Sequence, residues 1–284
     1  MKKKSKSPYI ISFSLLTIVI LAISLPFLLI KGRYNFSEFW SLFFDKIFNL
    51  EAFYLAFTHI IPKIPSTLIV TFISAVLGLL LGLLLALAKI NQIPVINQIR
   101  AVFVSFIRGT PIYVQLILVY TGIPLILQAI NLNYSTDYNV NIIPPLFYAV
   151  LAFSLNEAAY SSETIRAAIE SVDQGQIEAA KSLGMTDFQV FMRVTLKEAA
   201  VVATAPLGNA LIGLLKGTSL AFVVAFVEMT AIAQIIGGSS FRILESYAAL
   251  AILYWLICIL LEGFIRWIEK RLKIEMKEKT EVAI

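Results

Sequence analysis

The residues of this chain that can hold charge against a ligand sit where charge is expensive. Glu157, Glu163, Lys216 and Glu228 fall within or beside long apolar runs. An ionisable side chain at membrane depth costs about 2.5–3.5 kcal/mol on insertion scales, so such residues face protein or water and are functional candidates. Glu157 and Lys216 offer an acceptor and a donor to a small ligand that carries both charges, with Asn209 and Thr218 as neighbouring polar groups. Simple burial in helix contacts is the other reading of these two. Glu163 and Arg166 stand three apart, a spacing that also makes a local ion pair at the end of a helix. Covalent and metal chemistry lacks its residues: one histidine, His59, and one cysteine, Cys258, cannot assemble a hydrolytic triad or a metal-ligand set. No glycine is followed directly by lysine, so a phosphate-binding loop of the Walker type is missing as well. Binding and passage remain; catalysis does not.

These residues need a membrane to position them. Hydrophobic residues make up 59% of the chain and charged residues 14%, with a mean hydropathy of +0.84, outside the range of soluble domains. No apolar segment alternates with period two, and only helices or closed barrels satisfy their backbones in lipid, so the chain reads as an all-α membrane protein. Six spans are expected, at about 10–30, 64–88, 111–130, 145–166, 199–227 and 247–266. The fifth is interrupted by Lys216, and the sixth carries Glu262 near its end.

The 21 uncharged residues at 10–30 follow a lysine-rich start and exceed a signal-peptide core, which predicts an uncleaved first helix. With the N-terminus inside, Lys2 to Lys6, Lys89, Arg100, Arg108, Arg166, Lys181, Arg193, Lys197 and the basic tail from Arg266 onward share the cytoplasmic side. The outer side receives Lys31, Arg33, Lys46, Lys63 and Arg242, so the positive-inside rule places both termini in the cytoplasm of a multi-pass cell-membrane protein. Basic residues beside apolar blocks set orientation, and no nucleic-acid partner is expected. Between the first two spans, Phe36, Phe39, Trp40, Phe43, Phe44, Ile47 and Phe48 mark one face of a helix that either lies in the outer headgroup region or packs on the bundle. Gly78-x-x-x-Gly82 and Gly213-x-x-x-Gly217 permit close helix approach, within the bundle or between subunits.

Between the fourth and fifth spans runs Glu178-Ala-Ala-Lys-Ser-Leu-Gly184, charged and helix-favouring, with Val194-Thr-Leu196-Lys197 nine residues on. This stretch resembles the EAA loop of ABC-importer permeases, with Lys197 where that loop carries proline. Arg108-Gly-Thr-Pro111, Tyr160-Ser-Ser-Glu163-Thr-Ile-Arg166 and Leu215-Lys-Gly-Thr-Ser219 are similar to segments of the polar amino-acid uptake family, and the last two look most like its cystine and sulfur amino-acid branch. Gly217 stands where the common form has aspartate. In Arg108-Gly-Thr-Pro111 the local chemistry predicts a helix start, with Thr110 capping orphan amides, Pro111 at the first helical position and Arg108 at an anionic inner surface.

The resemblance implies a type I ABC-importer permease core at 63–270, with an EAA loop at about 170–198. Added to it would be an extra N-terminal helix at 1–33, an external aromatic segment at 34–62 and a charged cytoplasmic tail at 271–284. It implies that Glu178, Ala179, Ala180, Gly184, Val194 and Leu196 couple the chain to separate ATPase subunits, which bind the ATP, while this chain binds no cofactor. A solute-binding protein outside, a second permease copy or related permease, an amino-acid substrate and membrane lipid complete the expected partners. An ion-coupled secondary transporter, with Glu157 and Glu163 as coupling carboxylates, is the alternative.

Overall fold

The structure, a computed structural model, describes residues 41–139 and 142–282, with side chains described as far as residue 272. The expected span at 10–30 and the residues Phe36, Phe39 and Trp40 lie outside the described residues. All regular structure among the described residues is helical. The chain divides into two compact units at Leu50. In the described part of the first, a π-helical turn at Phe43–Ile47 gathers three rings: Phe43 meets Phe44 edge-on at 5.3 Å and stacks on Phe48 at 6.0 Å.

The second unit is a helical bundle. Helix α1, Leu50–Ile60, leads through a short 3-10 turn, Ile61–Lys63, into α2, Ile64–Ile90, whose early proline falls in the first turn where a missing N–H costs nothing. Next come α3 at Ile96–Gly109, α4 at Ile112–Tyr134 and α5 at Pro145–Glu170. Two short helices, α6 at Gln174–Ser182 and α7 at Asp187–Val190, are followed by a π-helical stretch at Phe191–Thr195 and α8 at Leu196–Gly217. A 3-10 segment, Thr218–Val224, then α9 at Met229–Ser240 and α10 at Ile243–Val282 complete the order. Sequence reading passed over α3 and α9, one amphipathic and one short, because neither carries a long apolar run.

Four stretches, Leu50–Ile90, Ile112–Tyr134, Asp187–Val224 and Ile243–Leu272, are long and apolar enough to cross a membrane. Helix α5 is as long, at 26 residues, but its alanines, serines and charges lower its hydropathy. The reason is packing: Tyr148, Ala149, Ala152 and Phe153 of α5 are buried with Val70 of α2, Leu116 of α4 and Leu214 of α8. A helix wrapped by protein needs small side chains more than oily ones.

That requirement is sharpest where α2 crosses α5. A Cβ on Gly78 would lie 2.6 Å from Glu157 Cβ, and one on Gly82 would collide with Ser161 Oγ and come within 3.2 Å of Ala158 O. The second glycine pair behaves differently. Gly213 has nothing within 4 Å and a Cβ on Gly217 would meet only Phe153 at 3.7 Å, whereas Gly208, outside the motif, is pressed against Ile265 of α10.

Glu228 has a structural task. Fully buried, it caps α9 by accepting from the amides of Thr230 at 2.7 Å and Ala231 at 3.1 Å. It also accepts from Tyr254 of α10 at 3.1 Å and Thr67 of α2 at 3.4 Å. Glu228→Ala orphans these donors together, and a loss of about 2–3 kcal/mol is expected. Thermal unfolding in detergent measures it, with Glu228→Gln expected to lose less because it keeps an acceptor oxygen.

Candidate functional site

The Glu178 segment folds into a pinned helical hairpin. Asp173 Oδ1 accepts from Gly175 N at 2.7 Å and starts α6. At the other end Gly184, with φ +82°, donates to Lys181 O at 2.9 Å while Met185 donates to Ala180 O at 3.2 Å. These two bonds form a Schellman turn, which needs a left-handed residue where glycine stands. Thr186 and Gln189 then form a capping box at the start of α7. Lys181 Nζ bonds Asp187 Oδ1 at 2.8 Å across the turn, and this hydrogen bond holds the Asp187 carboxyl below its ordinary range.

The hairpin's open face is apolar at its tip: Leu183 is 82% and Phe188 73% exposed, beside exposed Glu178, Ala179 and Gly184. Ala180, expected on the docking face with Ala179, instead turns inward at 6% exposure. Ile177 and Phe191 rest on Ala168, Ile169 and Ala199, fixing the hairpin to α5 and α8. Val194 is half-buried, and Leu196 lines an apolar groove with residues of α2, α5 and α8, so these two belong to the stem. With Lys197 in place of proline, the helix runs on from α7 through the π-helical stretch into α8.

A second polar region lies where α3 and α4 meet α5. The segment Gly109-Thr-Pro111 breaks the helix, and Pro111, at φ −63° and ψ 139°, is the cap residue of α4 rather than its first helical position. Thr110 does not cap α4: its hydroxyl donates backward to Phe106 O at 2.9 Å. Gln115 closes the break instead, reaching Ile107 O at 2.8 Å, Thr110 O at 3.0 Å and Thr110 Oγ1 at 2.9 Å, while its Oε1 accepts from Asn156 of α5 at 3.0 Å. Free carbonyls at a helix break are thus answered by one amide side chain. Below the break, Arg108 lies over the Tyr160 ring, 5.5 Å from its centroid.

Glu163 is the hub of the same face. It bonds Arg166 Nε at 2.9 Å, takes a short contact from Arg100 and lies 3.7 Å from Lys89 Nζ. Arg166 also pairs with Glu170. The spacing of Glu163 and Arg166 foretold their pair; Arg100, sixty-three positions away, gave no local signal.

The substrate-path residues are not brought together. Glu157 is 7% exposed, has no hydrogen-bond partner among the described residues and lines a cavity of ≈ 290 Å³ with Leu207, Gly208 and Leu211 of α8. Asn209 and Lys216 share the exposed face of α8, seven positions apart. Thr218 departs from that group: it is buried and its hydroxyl bonds Leu215 O at 2.6 Å. No carboxylate pairs with Lys216 among the described residues; it stands in the last turn of α8, where the helix dipole favours a cation. His59 bonds its own helix, with Nδ1 2.7 Å from Leu55 O.

Residues 78–274 match the family model described as binding-protein-dependent transport system inner membrane component. The L-cystine transport system permease protein TcyL of Bacillus subtilis (strain 168) is 42% identical over 210 residues, 74% of this chain and 85% of that protein. TcyB of the same organism, also an L-cystine transport system permease protein, is 40% identical over 72% of this chain and 83% of its own length. A crystal structure of an amino acid ABC transporter with histidines superposes with a TM-score of 0.63 at 33% identity, covering 75% of this chain and 93% of that one. Such permeases are not enzymes, and ATP is hydrolysed on separate ATPase subunits. By family match, by the length shared with these relatives and by fold, the chain belongs to the binding-protein-dependent transport system inner membrane components, as an amino-acid ABC importer permease.

Proposed function

We propose that this permease carries polar amino acids, with L-cystine first among them, and that the Glu178 hairpin couples it to the ATPase. The pinned hairpin carries the reading: a Schellman turn, a capping box and a salt bridge hold Leu183 and Phe188 out on a rigid tip. Exposed apolar side chains on an ordered helical tip are the pattern of an anchor for a partner's groove. Glu178 and Ala179 flank that anchor. The substrate assignment draws on the two cystine permeases among the relatives.

In this reading the hairpin and both termini are cytoplasmic, α5 is a span as well, and an extra N-terminal helix makes six. A solute-binding protein delivers substrate from outside, and a second permease, identical or related, closes the pathway. Glu157, Asn209 and Lys216 are path residues on α5 and α8, the last two on a face of α8 that this chain leaves open.

Uptake of radiolabelled L-cystine and a panel of polar amino acids, in cells carrying the permease and its partners, tests this. Gly184→Asp puts a side chain into the left-handed turn and a negative charge beside the exposed tip, at about 1–2 kcal/mol. ATP-dependent uptake is expected to fall at least about tenfold with the protein still in the membrane. Uptake that persists in this variant and follows an ion gradient would sink the proposal.

A further inference from the structure

The cleft between α3 and α5 holds more positive charge than its carboxylates neutralise. Lys89, Arg100 and Arg166 converge on Glu163, and among the described residues only Arg166 has a second carboxylate, Glu170. Arg108 has none within ion-pair reach among the described residues; its one marked contact is the face of Tyr160. Arg100 is 5% exposed, and its Nε is buried without an acceptor. Between these two guanidiniums lies a cleft of ≈ 480 Å³, lined also by Ser105, Tyr160 and Glu163.

Its depth matters. Tyr160 follows Glu157 by less than one turn, and Glu157 faces Gly78, which stands midway along α2. Glu163, on the same lining, pairs with Lys89 one residue from the end of α2, so the cleft runs from mid-helix toward that end; an uncovered guanidinium there is expensive against lipid tails and inexpensive in a watered route with an anion at hand. Asn156, Tyr160 and Glu163 form one polar face of α5, so the cleft continues a polar stripe. The planar fork of arginine suits a carboxylate, and hydroxyls of Ser105 and Tyr160 stand beside it.

We propose that this cleft is an oxyanion site on the transport route, in which Arg108, backed by Arg100, receives the α-carboxylate of the amino acid. The inference rests on the importer reading above. A lipid phosphate offers the same oxyanion chemistry, but its acyl chains would have to lie along the polar face of α5. Arg108 is therefore a substrate contact and a filter for free amino acids over neutral derivatives.

The test uses the purified permease–ATPase complex in phosphatidylcholine nanodiscs, without binding protein, so that selectivity upstream cannot intrude. Binding of L-cystine, L-glutamine and L-arginine is compared with that of their α-carboxamides. The wild type is expected to bind at least one free amino acid about tenfold or more tightly than its amide. Arg108→Gln should abolish that preference without lowering the melting temperature of the unliganded complex, since Arg108 is exposed, and Arg108→Lys should keep part of it. Three results overturn the proposal: no binding by the wild type, a preference unchanged in Arg108→Gln, or phosphatidylglycerol retained in native mass spectra of the wild type and lost in the variant. Uptake by wild-type cells separates the two failures. If those cells transport no amino acid, the importer reading has failed; if they transport and the preference survives Arg108→Gln, only this inference has.

Discussion

Gly82→Leu should leave no folded bundle. A side chain there meets Ser161 Oγ first, then Ala158 O and Ser162 N, each 3.2 Å from the added Cβ. Two of these three are backbone atoms of α5, which cannot swing aside, so the helices must part along the length that buries Ala75, Ala152 and Phe153. Overpacking of this kind costs about 3 kcal/mol or more. The readout is the monodisperse fraction on size-exclusion chromatography and the midpoint of thermal unfolding. Gly213→Leu is the control, because open space surrounds that glycine within the chain. A normal melting temperature for the isolated Gly213→Leu protein, with assembly lost, would identify that face of α8 as a subunit contact. A Gly82→Leu protein that melts like the wild type would show that the two helices are not bound at this crossing.

Glu163→Ala is expected to be nearly as damaging, for an electrostatic reason. Arg100 is almost wholly buried and has no other carboxylate among the described residues. Removing one partner of a buried pair strands the other charge, at about 3–5 kcal/mol. Lys89 and Arg166 lose an acceptor too, although both are more exposed and Arg166 keeps Glu170. The double variant Glu163→Leu/Arg100→Met removes both charges and should recover about half or more of the loss. Failure of that rescue would mean that Glu163 acts chiefly through Lys89 and Arg166. Chemical denaturation of each variant in the same detergent decides the matter.

The hairpin was legible because its signals are local. The Glu178 segment stands between apolar blocks with glycine at its turn; Asp173 and Thr186, each capping a helix within three residues of itself, went unread although their signal is equally local. Helix α5 was legible as a long helix, although its small residues record contacts that only the folded chain reveals. The inward turn of Ala180 depends on which way α6 rolls against Ala168 and Ile169, and no run of seven residues contains that. The helix break at Thr110 and Pro111 misled for a related reason. Threonine before proline reads as a cap, but Gln115 and Asn156 satisfy the broken ladder from outside the motif. Arg100 and Glu163 are joined only by packing, and Thr218 was drawn away from Lys216 by a bond to its own preceding turn.

One continuous helical stretch runs from Asp187 to Val224, 38 residues in all, through the π-helical turn at Phe191–Thr195. At 1.5 Å per residue its length is about 57 Å. A proline at position 197 would have put a hinge there, and a hinge absorbs torque. Without it, the stretch can yield at the wide turn and at Pro206, which lies inside α8 between Phe188 and Asn209. The stretch is therefore a lever with two soft points, and a push at Phe188 reaches Asn209 only after both have yielded.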